Sequence, residues 1–80
     1  MSIAFSRRLR ELRTEQNMTQ KEMSTLLGLK DSRSIRAYET DQSEPSICNL
    51  IQLSERFDVS IDYLVGATDD PTHHRPPRKP

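Results

Sequence analysis

Two arginines, Arg33 and Arg36, are the side chains best suited to recognising another molecule. Between and beyond them lie Ile35 and Tyr38, which are also three residues apart. If residues 31–39 form a helix with Ile35 and Tyr38 facing inward, both arginines point outward. A planar guanidinium donates two parallel hydrogen bonds to guanine O6 and N7, or to a phosphate. The chemistry indicated is therefore recognition of a nucleic acid.

Catalysis and metal binding lack the residues that they need. The single cysteine, Cys48, excludes an intrachain disulfide and a multi-cysteine zinc site. Two histidines, His73 and His74, stand side by side in a proline-rich stretch, where they cannot preorganise a metal site. The chain has no glycine-rich phosphate loop, and its 80 residues leave little room for a closed pocket. We expect no enzyme, no metal and no cofactor.

The residues before the arginines predict another helix and a tight turn. Thr19 and Glu22 have the spacing of a capping box, in which each side chain binds the other residue's backbone N–H. The apolar stripe of this helix is Met23, Leu26 and Leu27. Gly28 is expected to end it in the left-handed conformation, and Asp31 or Ser32 to cap the next helix. Such a pair of short helices is typical of a helix-turn-helix DNA reader.

Three further helices must hold this pair in place. The first covers about residues 2–17, with a stripe of Phe5, Leu9 and Leu12. Its arginines are interpreted mainly as a solvated face, with Arg10 and Arg13 within reach of a phosphate. After the loop 40–45, which Asp41 opens in left-handed geometry, Ser46 caps a fourth helix. Its stripe is predicted as Ile47, Leu50, Ile51 and Phe57, with Leu53 on a neighbouring face.

A fifth helix closes the predicted domain. Ser60 caps it, its packing residues are Ile61, Leu64 and Val65, and Gly66 ends it. After Gly66 the chain is rich in proline and has no bulky apolar residue. We predict a folded domain over residues 1–66 and a disordered tail over 67–80, in which Arg75, Arg78 and Lys79 are available for a phosphate or a partner.

The charge of the chain is balanced but unevenly distributed. Twelve lysines and arginines face twelve aspartates and glutamates, so a general polyanion binder is disfavoured. The first half is basic and residues 39–70 are acidic, which predicts one DNA-facing side. Apolar runs are too short to span a membrane, and no signal sequence is visible, so we expect a cytoplasmic protein and no membrane partner.

Residues 5 to 66 resemble the phage repressor and Cro-type family of helix-turn-helix regulators, also called the XRE family. The matching segments, in order, are RLRELR at 8–13, MTQKEMSTLLGL at 18–29, Ile35 with Tyr38-Glu39, Glu44-Pro45-Ser46 with Leu50, and DVSIDYLVG at 58–66. The resemblance implies an all-α fold, a compact five-helix repressor-like DNA-binding domain. It also implies a bacterial or phage-encoded protein.

The resemblance implies specific contacts with DNA. Base edges would be read in the major groove by the third helix, from Ser32, Arg33, Arg36 and Ala37. Phosphates would be held by Gln20, Lys21, Lys30, Ser34 and Arg10. This chain departs from the common family pattern in having one extra residue between Gly28 and Ile35 and an acidic loop with Asp41 and Glu44. The acidic loop predicts modest affinity with a strong salt dependence.

Two classes of function fit these features. The first is a sequence-specific transcriptional regulator, expected to be a repressor, that binds a palindromic operator. We expect it to bind as a homodimer, because one short helix reads only a few base pairs. Residues placed at the dimer contact are Phe57, Val59, Ile61 and Tyr63. The alternative is a protein-interaction module such as an anti-repressor or antitoxin, which the acidic loop and zero net charge favour.

Overall fold

The computed structural model describes residues 3–72, and every regular element among them is an α-helix. The helices are α1 (Ile3–Glu15), α2 (Gln20–Leu26), α3 (Arg33–Glu39), α4 (Ile47–Phe57) and α5 (Ile61–Leu64). The all-α, five-helix prediction is confirmed. Helix α3 packs against both α1 and α2, while α5 packs against α1 and α4. In the described residues, no helix has the length and apolar character needed to cross a membrane.

Side-chain caps start three of the helices where the sequence predicts them. The Thr19 hydroxyl accepts the Glu22 N–H at 3.0 Å, and the Glu22 carboxylate accepts the Thr19 N–H at 2.8 Å, which completes the capping box. Ser46 caps α4 and Ser60 caps α5 in the same way, each accepting an N–H three residues ahead. These bonds satisfy backbone donors that a helix leaves open at its start.

Left-handed residues end the helices. Gly28, at φ 71°, follows α2, and Asp41, at φ 59°, follows α3, both as predicted. Asp58, at φ 54°, caps the end of α4, and Asn17, at φ 56°, follows α1. Aspartate and asparagine tolerate this conformation better than other residues with a Cβ atom. The turns are therefore local properties of the residues that occupy them.

The core is formed by apolar residues from all five helices and their connections. Its members are Phe5, Leu9, Met23, Leu27, Ile35, Tyr38, Leu50, Leu53, Val59 and Leu64. The rings of Phe5 and Tyr38 meet edge to face, with centroids 6.0 Å apart, so α1 is joined directly to α3. The third helix is seven residues long and depends on these contacts, because so short a helix is unstable alone.

The apolar stripe predicted for α4 is partly wrong. Ile47 is 76% exposed and Ile51 is 44% exposed, whereas Leu53, expected on a neighbouring face, is fully buried. The buried side of the helix contains two polar residues that a count of apolar positions does not reveal. Asn49 donates to the Tyr38 hydroxyl at 3.1 Å, and Ser54 donates to the Val59 carbonyl at 2.6 Å. Their hydrogen bonds offset the cost of burying these polar groups, and with this side of α4 facing the core both isoleucines face outward.

Residues 67–72, predicted to belong to the tail, are hydrogen bonded to the helical domain. The Arg8 guanidinium donates to the Thr68 carbonyl at 2.7 Å, and the Ser60 N–H donates to the Pro71 carbonyl at 2.9 Å. Gly66, at φ 85°, turns the chain back towards α1. These contacts lie beyond residue 66, the predicted end of the folded domain. Residues 73–80, the rest of the predicted tail, lie outside the described residues.

Candidate nucleic-acid interface

The turn between α2 and α3 overlaps the segment from Gly28 to Ile35, where the sequence has one residue more than the common family pattern. It covers residues 27–32, and the helix resumes at Arg33. Within it the Leu29 N–H donates to the Ser24 carbonyl at 2.8 Å, and the Leu29 side chain packs against the core. Helix α3 begins two residues before Ile35. The inward positions Ile35 and Tyr38 keep their helical register.

One side of α3 is open to solvent and carries the predicted reading residues. Arg33 and Arg36 are exposed, and they face away from the buried pair Ile35 and Tyr38. Ser32, Ser34 and Ala37 are half-buried. Positions 33, 36 and 37 are three and four residues apart, so they share a face. That face presents two cations on a short helix, a shape that fits the major groove of duplex DNA.

Arg33 is bound to Asp31, two residues before it. The Asp31 Oδ2 atom accepts the Arg33 Nε–H at 3.1 Å and an Nη2–H at 2.8 Å. Its Oδ1 atom accepts the Arg33 backbone N–H at 2.9 Å. The guanidinium bonds lower the pKa of the Asp31 carboxyl, and the same bonds raise the pKa of Arg33. Asp31, rather than the Ser32 hydroxyl, thus satisfies the first donor of α3.

The predicted phosphate-binding residues flank this face. Lys21 and Lys30 are exposed, on α2 and in the turn respectively. Gln20 is half-buried at the start of α2, and its Nε2 atom donates to Glu39 Oε1 at 3.3 Å. The Arg10 side chain is 56% exposed and donates to the Glu39 backbone carbonyl at 3.2 Å. Gln20 and Arg10 therefore lie together at the end of α3, and Gln20 braces that helix directly.

A buried carboxylate, that of Glu39, joins the three helices of the site. It belongs to the last residue of α3, and its side chain is only 2% exposed. Arg13 donates to both oxygens, from Nε to Oε2 at 2.6 Å and from Nη2 to Oε1 at 3.0 Å. These hydrogen bonds raise the pKa of Arg13, so its guanidinium stays charged throughout the ordinary pH range. With Gln20 on α2 and Arg13 on α1, the carboxylate locks α3 to both neighbours.

The interpretation of the α1 arginines as a solvated face is wrong for two of them. Arg13 is held by Glu39 and by the Met18 carbonyl at 2.9 Å. Arg8 is buried, with its guanidinium carbon 4.1 Å from the centre of the Tyr63 ring. It also donates to the Tyr63 carbonyl and to Asp69 Oδ1. Neither guanidinium is free to meet a phosphate, whereas Arg7 and Arg10 are exposed.

Sequence reasoning gave no role to Glu39 or Arg8, and it treated Asp31 only as one of two possible helix caps, although a signal existed for each. Arg8 is three residues after Phe5, and Arg13 is four after Leu9, so both share the buried stripe of α1. Glu39 directly follows the inward-facing Tyr38. Asp31, two residues before Arg33, has the spacing at which an aspartate accepts a backbone N–H. An acid or base on a buried stripe predicts a buried ion pair, because an unpaired charge is too costly there.

The four residues placed at the dimer contact have different surroundings. Val59 is buried in the domain's own core, and Phe57 and Tyr63 are half-buried and packed against it. Ile61 is 37% exposed. The Val59 side chain is therefore packed within its own domain and is not available to contact a second copy. The apolar surface that remains open lies on α4 and at the start of α5, where Ile47, Ile51 and Ile61 are exposed.

Metal binding has no support within residues 3–72. Over that range no three histidine, cysteine or acidic residues come close enough to hold an ion. The remaining candidates, His73 and His74, fall outside the described residues, as do Arg75, Arg78 and Lys79. Cys48 is exposed on α4 and has no disulfide partner, as expected for a lone cysteine.

Comparison with known proteins places these features in a family. A helix-turn-helix family model matches residues 9–64, which contain the site and most of the core. The chain is 36% identical over 67 residues to the uncharacterized HTH-type transcriptional regulator YobD of Bacillus subtilis (strain 168), covering 84% of this chain and 59% of that protein. It is 34% identical over 64 residues to the HTH-type transcriptional regulator ImmR of the same organism, covering 80% and 50%.

A solved structure shares the fold. It is the restriction-modification controller protein C.AhdI from Aeromonas hydrophila, which is 32% identical, with a TM-score of 0.67 over 78% of this chain and 92% of that one. The match to the curated regulators covers only about half to three-fifths of their length. Relatives named as transcriptional regulators and a controller protein agree with the expectation that this is not an enzyme. The chain belongs to the helix-turn-helix family, of the XRE type.

Proposed function

We propose that this protein is a sequence-specific transcriptional regulator that reads duplex DNA with α3 in the major groove. The observation that carries the proposal is the open face of α3, where Arg33 and Arg36 are exposed on a helix locked from behind by Glu39. A reader must be rigid, because each base contact needs defined geometry to discriminate. Regulators of transcription among its relatives support the same function.

The roles within the site follow from exposure and position. Arg33 and Arg36 contact base edges, with Ser32 and Ala37 beside them on the same face. Lys21, Lys30 and Ser34 contact phosphates around the groove, together with the exposed part of Arg10. Gln20 binds a phosphate while its amide remains bonded to Glu39. Phosphate contacts set the register of the protein, and base contacts supply the sequence preference.

The proposed operator is a palindrome bound by a homodimer. A single α3 of seven residues reaches only a few base pairs, so two copies are needed for a site of useful length. The exposed isoleucines of α4 and α5, Ile47, Ile51 and Ile61, support a self-association face. Compared with the dimer contact predicted from the sequence, this face includes Ile61 but not Val59, which is buried in the core. Two copies would place their α3 helices roughly 34 Å apart, about one turn of DNA.

We propose that the protein represses transcription and that it acts in the bacterial cytoplasm. A dimer on its operator blocks polymerase by occupancy alone, so repression needs no further surface. A reporter gene with the selected operator overlapping its promoter tests this directly. Expression should fall when the protein is present and recover when both reader arginines are replaced by alanine. Increased expression would identify an activator instead.

Selection of bound duplexes from random DNA tests the central proposal. The experiment is run at two salt concentrations, with the Arg33→Ala/Arg36→Ala double variant as the matched control and circular dichroism to verify its fold. An enriched palindrome with half-sites about ten base pairs apart supports a dimeric reader. If the wild type and the control variant enrich the same DNA sequences equally, the two arginines of α3 do not contact the bases. If nothing is enriched and binding disappears at moderate salt, the protein-interaction alternative gains the support that DNA recognition loses.

A further inference from the structure

Arg33 is exposed but not conformationally free. Its side chain is 86% accessible, yet three hydrogen bonds join the residue to the Asp31 carboxylate. One carboxylate oxygen accepts the backbone N–H, and the other accepts the two side-chain donors. One oxygen of Asp31 thus caps α3, and the other fixes the direction in which the Arg33 guanidinium points.

The bonds to Asp31 leave one complete donor edge of the guanidinium available. Asp31 occupies the edge formed by the Nε–H and one Nη2–H. The adjacent edge, formed by the other Nη2–H and an Nη1–H, is parallel-sided and matches the guanine O6 and N7 acceptors. Arg33 can bind Asp31 and guanine at the same time. No bond in the structure has to break for this contact to form.

Because Asp31 restrains the Arg33 side chain before DNA binds, recognition of a base is favoured. A free arginine loses the freedom of several rotatable bonds when it binds, and a restrained one has already lost much of it. The adjacent carboxylate also cancels the charge of the guanidinium, which weakens its attraction to phosphates at any position along DNA. Both effects raise the ratio of specific to non-specific binding.

We propose that Asp31 is a positioning residue for sequence recognition, which aims the free edge of Arg33 at a guanine and limits its attraction to phosphate. The inference rests on the proposed function, since it needs α3 to read DNA. The ligand is a duplex with guanine at the position that Arg33 contacts. Asp31 belongs to the α2–α3 turn and lies two residues before Arg33, the first residue of α3.

Asp31→Asn separates aiming from helix capping. The asparagine carbonyl still accepts the Arg33 backbone N–H, but its amide cannot accept a guanidinium and carries no charge. Asp41→Asn is the matched control, because it makes the same change on an exposed loop residue beyond α3, at a left-handed position that asparagine tolerates. Asp31→Ser, whose hydroxyl also caps helices, provides a second variant should Asp31→Asn disturb the fold.

The measurement is the Kd for the selected operator and for operators in which the guanine assigned to Arg33 is replaced by each other base. The preference for guanine should fall at least about threefold in Asp31→Asn and stay unchanged in Asp41→Asn. Binding to random duplex should become tighter in Asp31→Asn, with a steeper salt dependence, because the released guanidinium meets phosphates. In an Arg33→Ala background, Asp31→Asn should not alter base preference.

Unchanged guanine preference in Asp31→Asn and Asp31→Ser, with the fold intact, would overturn the inference and reduce Asp31 to a helix cap. Altered preference in the Arg33→Ala background would overturn it as well, since Asp31 would then act on the bases itself. A wild-type protein that enriches no motif at all would mean that the proposed function fails. That result differs from one in which wild type and Asp31→Asn enrich the same motif equally.

Discussion

Arg13 on α1 and Glu39 at the end of α3 form a two-point ion pair that ties α3, the proposed reading helix, to the rest of the domain. Nitrogen–oxygen distances are 2.6 and 3.0 Å, and the carboxylate is almost completely buried. Gln20 adds a third donor from α2. A single carboxylate thereby determines how α3 sits on both helices behind it. The solvent-facing side of α3 can then be devoted to recognition.

Arg13→Ala should strongly destabilise the domain. It leaves the Glu39 carboxylate buried without its main partner, a change that typically costs about 3–5 kcal/mol. Urea unfolding monitored by circular dichroism measures the free energy of unfolding. Arg10→Ala is the matched control, because Arg10 is mostly exposed and 3.7 Å from the same carboxylate. We expect the control to lose less than about 1 kcal/mol. Equal losses would show that the pair with Arg13 has no special role.

Arg8→Ala should release residues 67–72 from α1. The Tyr63 and Thr68 carbonyls lose their donor, which costs about 1–3 kcal/mol of stability. Limited proteolysis followed by mass spectrometry should show faster cleavage within 67–72. Asp69→Asn is the control, since the Asp69 carboxylate is 99% exposed and Arg8 keeps its two carbonyl acceptors. If both variants are cleaved at the wild-type rate, Arg8 does not hold this segment.

The capping box of α2 should make stability depend on pH. The backbone and hydroxyl bonds of Thr19 lower the pKa of Glu22 in the folded state. Its stabilising effect is therefore present above the unfolded pKa, about 4.3, and is lost as the pH falls through the lower folded pKa. Glu22→Gln keeps the hydrogen-bond acceptor without the charge. Wild type should be the more stable at pH 7, and the difference measured in urea should vanish towards pH 3. A difference independent of pH would exclude the carboxylate charge as its origin.

Arg33→Ala should lower specific affinity and relax base preference at one position. Loss of a bidentate guanine contact costs about 1–3 kcal/mol, which binding assays on the selected operator and its single-base variants can resolve. Arg56→Ala removes an exposed arginine from α4 and should leave base preference unchanged. Gln20→Ala provides a contrast, because the loss of its proposed phosphate contact should weaken binding to all DNA sequences about equally. If Arg33→Ala leaves the base preference unaltered, Arg33 does not contact the bases.

Serine at both Ile47 and Ile51 should weaken self-association without unfolding the domain. These residues are one helical turn apart and exposed, so their replacement removes apolar surface from a dimer but little from the core. Sedimentation over a range of protein concentrations measures the dimer dissociation constant. The control is serine at Cys48, which lies between them and is also exposed. A wild-type protein that remains monomeric, free and on its operator, would contradict the proposed homodimer.

The sequence alone determined the local features of this protein. The Thr19 capping box, the serine caps of α4 and α5, and the left-handed turns at Gly28 and Asp41 are each formed within about five residues. Such features follow from the residues themselves, because side-chain hydrogen bonds and backbone sterics act over that distance. Helical periodicity similarly predicted five helices and the inward positions Ile35 and Tyr38 of α3.

Only the tertiary structure decided which charged and apolar residues are inside. Arg13 meets Glu39 across 26 residues of chain, and Arg8 meets Asp69 across 61. The helical spacing places Arg8 and Arg13 on the buried stripe of α1, but the local pattern does not identify the distant residues that pair with them. The same reason places Leu53 inside and Ile47 outside, since Asn49 is buried through its bond to Tyr38 on another helix. Burial is set by the packing of whole helices, where partners far apart in sequence satisfy each other's polar groups.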